Sequence, residues 1–242
     1  MNSIIELLKS NQNTVFVNED GVEERLELLP PLTSAEIAAF EKTLPCPIPD
    51  EIRELLRVTS GFRGVLEEVN FGGSKLEFGL EDVFPHAISI AGDGFGNFWV
   101  IDLTSESHAW GPVFFASHDA PVIVYQCDDL AHFVAEVFRF GNRPWKGEID
   151  DAHEGLSTRI WRDNPGVLTH EECLQSADTF LQDFAKSLDS TWLFVDLRNA
   201  KLGDGFSWGR YGPKTANRRF GEKRIFAYQK KSLGQRFLNA WR

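Results

Sequence analysis

The chain is poor in the residues from which many sites are built. Its 242 residues hold three cysteines, Cys46, Cys127 and Cys173, far apart in sequence. Their odd number and wide spacing exclude a Cys-x-x-Cys metal cage and fit unpaired thiols in a reducing cytosol. The six histidines include no His-Glu-x-x-His array, so no metal set is predicted. No apolar run approaches the roughly 20 residues of a membrane helix. The opening segment Met1–Lys9 lacks the basic lead and small-residue cleavage site of a secretory signal. Internal repeats and low-complexity tracts are absent. These absences predict a cytoplasmic globular protein without membrane attachment, long enough to bury a full core.

What is present is acidic charge, unevenly placed. The net charge is −11. Ser190–Arg242 carries 12 Lys+Arg against 3 Asp+Glu, while the first 189 residues carry 13 against 33. A tail of +9 and a remainder of −20 suggest separate electrostatic roles, or an extension docked on the acidic part.

The most informative stretch runs from Ile88 to Leu103. It reads strand, glycine turn, strand. Gly92, Gly94 and Gly96 allow positive φ, and Asp93 and Asn97 can close the turn with their own side chains. Phe98–Leu103 has the apolar, branched and aromatic composition of a half-buried strand. A phosphate loop would be followed by a helix and a Lys-Ser or Lys-Thr pair; neither follows here. A calcium loop fails because its twelfth position is Thr104 rather than Glu.

Around the hairpin the pattern is helix, helix, strands, helix. Ser3–Lys9 is a short amphipathic helix, followed by strand-like Thr14–Val17 and Val22–Leu28 around Glu19-Asp20-Gly21. A second helix starts at Thr33 or Ser34 with Glu36 placed to cap it. Leu44-Pro45-Cys46-Pro47-Ile48-Pro49 is an extended connector, Asp50 caps a helix to Val58, and Gly61 ends it. Strands are expected at Leu76–Phe78, Ala87–Ala91, Phe98–Leu103, Pro112–Ala116 and Val122–Tyr125, then a helix at Leu130–Phe140. Short turns between strands predict an α+β domain with an antiparallel sheet and packed helices. Further on, Thr169-His170-Glu171-Glu172 starts a helix to about Leu188, and Trp192–Leu197 and Arg224–Tyr228 read as strands. The predicted organisation is an N-terminal helix and hairpin (1–31), the α+β domain (32–142), and an extension with one helix and a basic, aromatic-rich strand pair (143–242).

Four of these segments, in this order, resemble the SUKH superfamily of Smi/Knr-like proteins: the two helices joined by Leu44–Asp50 and ending in Thr59-Ser60-Gly61; the glycine hairpin ending in Val100-Ile101-Asp102-Leu103; Trp110–Asp119, a Gly-x-Val-aromatic run leading to His-Asp; and the helix Leu130–Phe138. The resemblance covers Leu32–Phe140 and explains nothing after Asn142. The turn after the second helix, Phe62-Arg63-Gly64-Val65, is shorter than the family's usual acidic or glycine-rich one. The resemblance implies a sheet-and-helix fold, no catalysis, no cofactor and a protein partner. In bacteria it implies an immunity protein that neutralises a toxin; in fungi, a regulator of cell-wall synthesis and signalling. The negative charge of this chain points to a basic toxin domain as the partner.

Candidate site residues follow. His118 and Asp119 offer a base and a carboxylate, but neighbours on a strand face opposite ways, so a turn pair closing a hairpin is expected. Asp93 and Asp102 flank one hairpin as a glycosidase carboxylate pair would, but solvation at a turn and a strand end is expected instead. No Gly-x-Ser-x-Gly elbow occurs. Trp99 and Trp110 are core residues or, if exposed, binding anchors. Asp93, Trp99, Trp110, His118 and Asp119 are therefore the partner-binding candidates. In the tail, Trp208, Arg210, Tyr211, Arg218 and Arg219 interleave aromatic and basic residues in the manner of a nucleic-acid binder. A packed hairpin whose charges meet the acidic part of the chain is the preferred reading, and nucleic acid is not the expected partner.

Overall fold

The structure is a computed structural model that describes residues 3–18, 21–74, 80, 82–142 and 144–230. Helix α1 (Ile4–Asn11) starts on a capping box in which Ser3 and Glu6 satisfy each other's backbone N–H groups. Strands β1 (Val15–Val17) and β2 (Glu23–Arg25) form a small ribbon, and β3 (Glu27–Leu28) leaves it for the main sheet. Thr33 and Glu36 make the predicted capping box of α2 (Ser34–Glu41). Next come α3 (Asp50–Val58), β4 (Gly61–Arg63), β5 (Val69–Ser74), β6 (Ile88–Gly92), β7 (Phe98–Ile101), β8 (Val113–Ser117), β9 (Val122–Cys127) and α4 (Leu130–Phe140), the last capped by Asp129. After α4 follow α5 (Glu148–Asp151), a π-helical turn (Ala152–Leu156) and α6 (Ser157–Asp163). The chain then forms β10 (Val167–Thr169), α7 (His170–Leu174), α8 (Thr179–Lys186), β11 (Trp192–Asp196), β12 (Gly205–Phe206), β13 (Asn217–Arg219) and β14 (Ile225–Gln229).

Besides the β1–β2 ribbon, the described strands form two larger antiparallel sheets, and the fold is α+β. The main sheet has the order β12-β9-β8-β7-β6-β5-β4-β3, the second β10-β11-β14-β13. Side chains alternate across a strand, so each central strand feeds two cores. Trp99, Ile101, Val113, Phe115, Val122 and Val124 face a core shared with α1, α3 and α4. Val100, Phe114, Ala116, Ile123 and Tyr125 face the other way, onto Val195, Phe226 and Tyr228 of the second sheet and Leu197 just after β11. That sheet in turn packs Trp192, Phe194, Ile225 and Ala227 against Cys173, Leu181, Phe184 and Ala185 from α7 and α8. The layers run helices, main sheet, second sheet, helices. Phe206 stacks on Phe226 at 5.0 Å and Phe84 packs tilted against it at 5.3 Å across the middle layer.

Several details differ from the sequence expectation. β7, β8 and β9 are buried on both faces rather than half-buried, because the extension covers the face that a lone antiparallel sheet would leave to water. Phe62-Arg63 is strand rather than turn. Pro49, not Asp50, stands at the cap of α3, with Asp50 as its first residue. Gly61 does not terminate α3; Thr59 does, and Gly61 begins β4, where an added Cβ would meet the Val69 carbonyl oxygen at 2.0 Å. The single helix expected from Thr169 to Leu188 is two helices, because Asp178 captures the Phe180 and Leu181 N–H groups and starts α8 afresh. The helices of 148–163 were not foreseen. The strand expected at Leu76–Phe78, the residues Glu19 and Asp20 of the first turn, and the end of the chain after Lys230 lie outside the described residues.

Candidate docking site at the glycine hairpin

The β6–β7 turn is held from inside by one carboxylate. Asp93 Oδ1 accepts the Phe95 N–H at 2.8 Å and the Asn97 N–H at 3.1 Å. Its Oδ2 accepts the Asn97 side-chain amide at 2.6 Å and lies 2.9 Å from His153 Nε2 on the π-helical turn. Gly94 and Gly96 take φ of +78° and +89°, the left-handed region that glycine enters at no cost. Burial of Asp93 alone would raise its pKa, but the hydrogen bonds from Asn97, Phe95 and His153 outweigh it and hold the carboxyl below its ordinary value.

The polar chain extends in both directions. His118 donates its backbone N–H to Asn97 Oδ1 at 2.9 Å, and its ring Nδ1 lies 3.0 Å from the same oxygen. His118 Nε2 is 3.3 Å from Asp119 Oδ1, so the two side chains do meet. Both stand in the turn that joins β8 to β9, off the strand, so neighbouring side chains need not face opposite ways. On the other side His153 packs against Phe115 and Trp99, with ring centroids 5.4 and 6.5 Å away, and its Nδ1 is 3.2 Å from Glu154 Oε1. The run Asp119–His118–Asn97–Asp93–His153–Glu154 contains no hydroxyl, thiol or amine nucleophile. The three thiols are buried elsewhere, and burial pushes Cys173 up to about 11 and raises Cys46 and Cys127 as well.

This frame presents one side chain. Phe95, at the tip of the turn, is 76% exposed, the most exposed large apolar residue among those described. The polar run that holds this turn ends in the exposed carboxylates of Asp119 and Glu154, and Glu67 Oε2 lies 3.6 Å from where a Cβ on Gly94, next to Phe95, would be. Phe95, His153 and Glu154 are not among the residues the sequence singles out, and His153 is sixty residues from its partner Asp93.

The order of α2, α3, the antiparallel strands with this hairpin, and α4 accords with the finding that residues 31–136 match the SMI1 / KNR4 family (SUKH-1). Residues 31–136 form a SUKH domain. No curated protein and no solved structure matches it. No helix among the described residues is long and apolar enough to cross a membrane.

Within the SUKH domain the remaining candidates separate. Trp99 and Trp110 are each 1% exposed and belong to the core, so they present no surface to a partner. Trp99 Nε1 donates to Gln126 Oε1 at 3.1 Å, and Trp110 packs edge-on to Phe40. Asp102 is not a solvated strand end. It is fully buried between Arg219 and Arg224. Asp93 and Asp102 lie at opposite ends of β7, about 16 Å apart for the five extended residues from Asn97 to Asp102. Glycosidase carboxyls stand about 5–10 Å apart, so these two are not such a pair.

The tail aromatics and bases are engaged with the rest of the chain. Trp208 Nε1 donates to the Ser117 carbonyl at 3.1 Å, and Tyr211 stacks on Tyr228. Arg210 donates to the Trp161 and Arg162 carbonyls and lies over the Trp161 ring. Arg219 is buried on Asp102, unavailable to a polyanion, and Arg218 is exposed on β13.

Proposed function

We propose that the chain is a non-enzymatic protein-binding module whose glycine hairpin docks on a basic partner. One observation carries this reading: Phe95 is solvent-exposed on a turn that four contacts to Asp93 hold rigid. Aromatic anchors supply much of an interface's energy, and a pre-organised one loses little entropy on docking. The rim of Asp119, Glu154 and Glu67, on a chain of net charge −11, favours a basic surface and speeds its capture. The SUKH match over residues 31–136 makes an immunity protein the preferred role, acting in the cytosol by occluding a toxin domain. In this reading residues 32–142 recognise the partner, 143–242 cover the sheet's second face, and 1–31 complete the helical side. His118 and Asp119 act at the rim and Asp93 from inside.

The test is affinity capture from native extract with wild-type protein and with Phe95→Ala and Asp119→Lys/Glu154→Lys variants, followed by direct binding of the captured protein. The reading expects a basic partner, and a toxin gene next to this chain's own, with at least about tenfold weaker binding for Phe95→Ala. A captured cell-wall or signalling protein that needs the same hairpin would favour the regulatory role. Salt-sensitive binding of single-stranded nucleic acid lost in Arg218→Ala, with Phe95→Ala silent, would overturn the docking reading.

A further inference from the structure

We propose that His132, Glu136 and Glu148 form a divalent transition-metal site of the kind that takes zinc. His132 and Glu136 stand four apart on α4 and so share one helical face. Glu148, the first residue of α5, closes on that face from twelve positions further along, and one ligand atom from each of the three lies within 4.8 Å of the others. No linear spacing announces such a set, which explains why the sequence predicted no metal site.

Two features set this cluster apart from an ordinary ion pair. His132 Nε2 and Glu148 Oε2 are 3.0 Å apart, yet that oxygen is buried and accepts no hydrogen bond. The approach is close but misdirected for N–H donation. It suits two ligands of one ion, which at about 2.0–2.2 Å from a tetrahedral zinc stand roughly 3.3 Å apart. The second feature is a largely buried carboxylate. Glu136 is 8% exposed, and among the described residues its Oε2 accepts only the Glu148 N–H, at 3.1 Å. Its Oε1 meets Arg139 at 3.3 Å, and Arg139 is itself largely in solvent. Two carboxylates held this close, one of them buried, call for a cation between them.

The outer contacts fit as well. The Glu148 carbonyl accepts Gln126 Nε2 at 2.9 Å, and Gln126 Oε1 accepts the Trp99 indole N–H at 3.1 Å. Hydrogen-bonded supports of this sort fix ligands in place around a metal. One imidazole and two carboxylates suit zinc better than calcium or magnesium, and leave a fourth position for water. The ion would tie α5, and the π-helical turn after it, to α4. The proposal does not depend on the docking reading.

The test uses the full chain, stripped with EDTA, re-purified, and titrated with zinc. One retained zinc per chain and a rise in Tm are expected. His132→Ala and the conservative Glu148→Gln should each weaken zinc binding at least about tenfold while keeping the Tm of the metal-free protein. Cobalt(II) in place of zinc should give d–d absorption without a thiolate charge-transfer band, which separates this site from the three cysteines. No retained zinc, equal affinity in both variants, or a thiolate band on cobalt loading would overturn it.

Discussion

Arg219 grips Asp102 with both arms of its guanidinium, Nη1 to Oδ1 at 2.7 Å and Nη2 to Oδ2 at 2.9 Å. Both side chains are almost wholly buried, at 3% and 0% exposure, and Arg224 Nε adds a third bond at 2.8 Å. The pair joins β13 of the second sheet to the end of β7 in the SUKH domain. Two cations of the basic tail thus meet one buried carboxylate of the acidic remainder.

Breaking this pair from one side should be costly. Arg219→Met leaves Asp102 buried with Arg224 alone, and loss of one partner of a buried pair costs about 3–5 kcal/mol. The double variant Asp102→Asn/Arg219→Met removes the stranded charge and should recover part of that loss. Urea unfolding of the two variants checks this; equal stability of the double and single variants would contradict it.

The second sheet should be inseparable from the first. Phe226 is fully buried between Phe84 and Phe206, and Phe226→Ala should cost about 3–5 kcal/mol by opening a cavity. A chain ending at Ser190 would bare Val100, Phe114, Ile123 and Tyr125 and should be insoluble or melt far lower. The whole chain should unfold in one transition by both near- and far-ultraviolet circular dichroism. A truncated protein with unchanged Tm would show that the layers are independent.

Local rules made much of this fold legible. Thr33 with Glu36, Thr169 with Glu172, and the glycines of the β6–β7 turn each act through neighbours in sequence, so their elements could be read directly. The antiparallel sheet followed from short turns. What escaped depends on distant partners. The apolar runs of β7–β9 fit a half-buried strand as well as a fully buried one until β14 is seen behind them. β4 and β5 are short and glycine-bearing, and their pairing is set by neighbours rather than by propensity. At the candidate site, turn chemistry singles out Asp93, His118 and Asp119 in the sequence. His153 was not, because nothing in sequence ties it to Asp93.

Phe95 and Gly96 should separate docking from stability. Phe95→Ala removes an exposed ring and should leave stability within about 0.5 kcal/mol. Gly96→Val must hold a branched side chain at φ +89°, with its Cβ 3.0 Å from the His118 ring. That should cost about 1–3 kcal/mol and weaken partner binding with it. Thermal melts of both variants decide the point; a destabilised Phe95→Ala would mean that the ring packs on the chain.

The last prediction concerns acid. The Asp93 carboxyl is held below its ordinary value in the folded chain, because Asn97, the two N–H groups and His153 favour its charged form over the penalty of burial. A depressed folded pKa stabilises the protein fully above the unfolded value of about 3.9, and that contribution is lost as pH falls through the folded pKa. Asp93→Asn keeps an acceptor for the Phe95 and Asn97 N–H groups. It points an amide at the Asn97 amide, where donor meets donor. The variant should be less stable than wild type at pH 7 by about 1–3 kcal/mol, the cost of buried polar groups left without partners. As the medium is acidified below about pH 4, the wild-type Asp93 takes up its proton and the gap between the two proteins should narrow. Urea unfolding of both proteins at a series of pH values measures that gap. A gap that stays constant from neutral pH into acid would show that the charge on Asp93 contributes nothing to the hairpin, and that its role is shape alone.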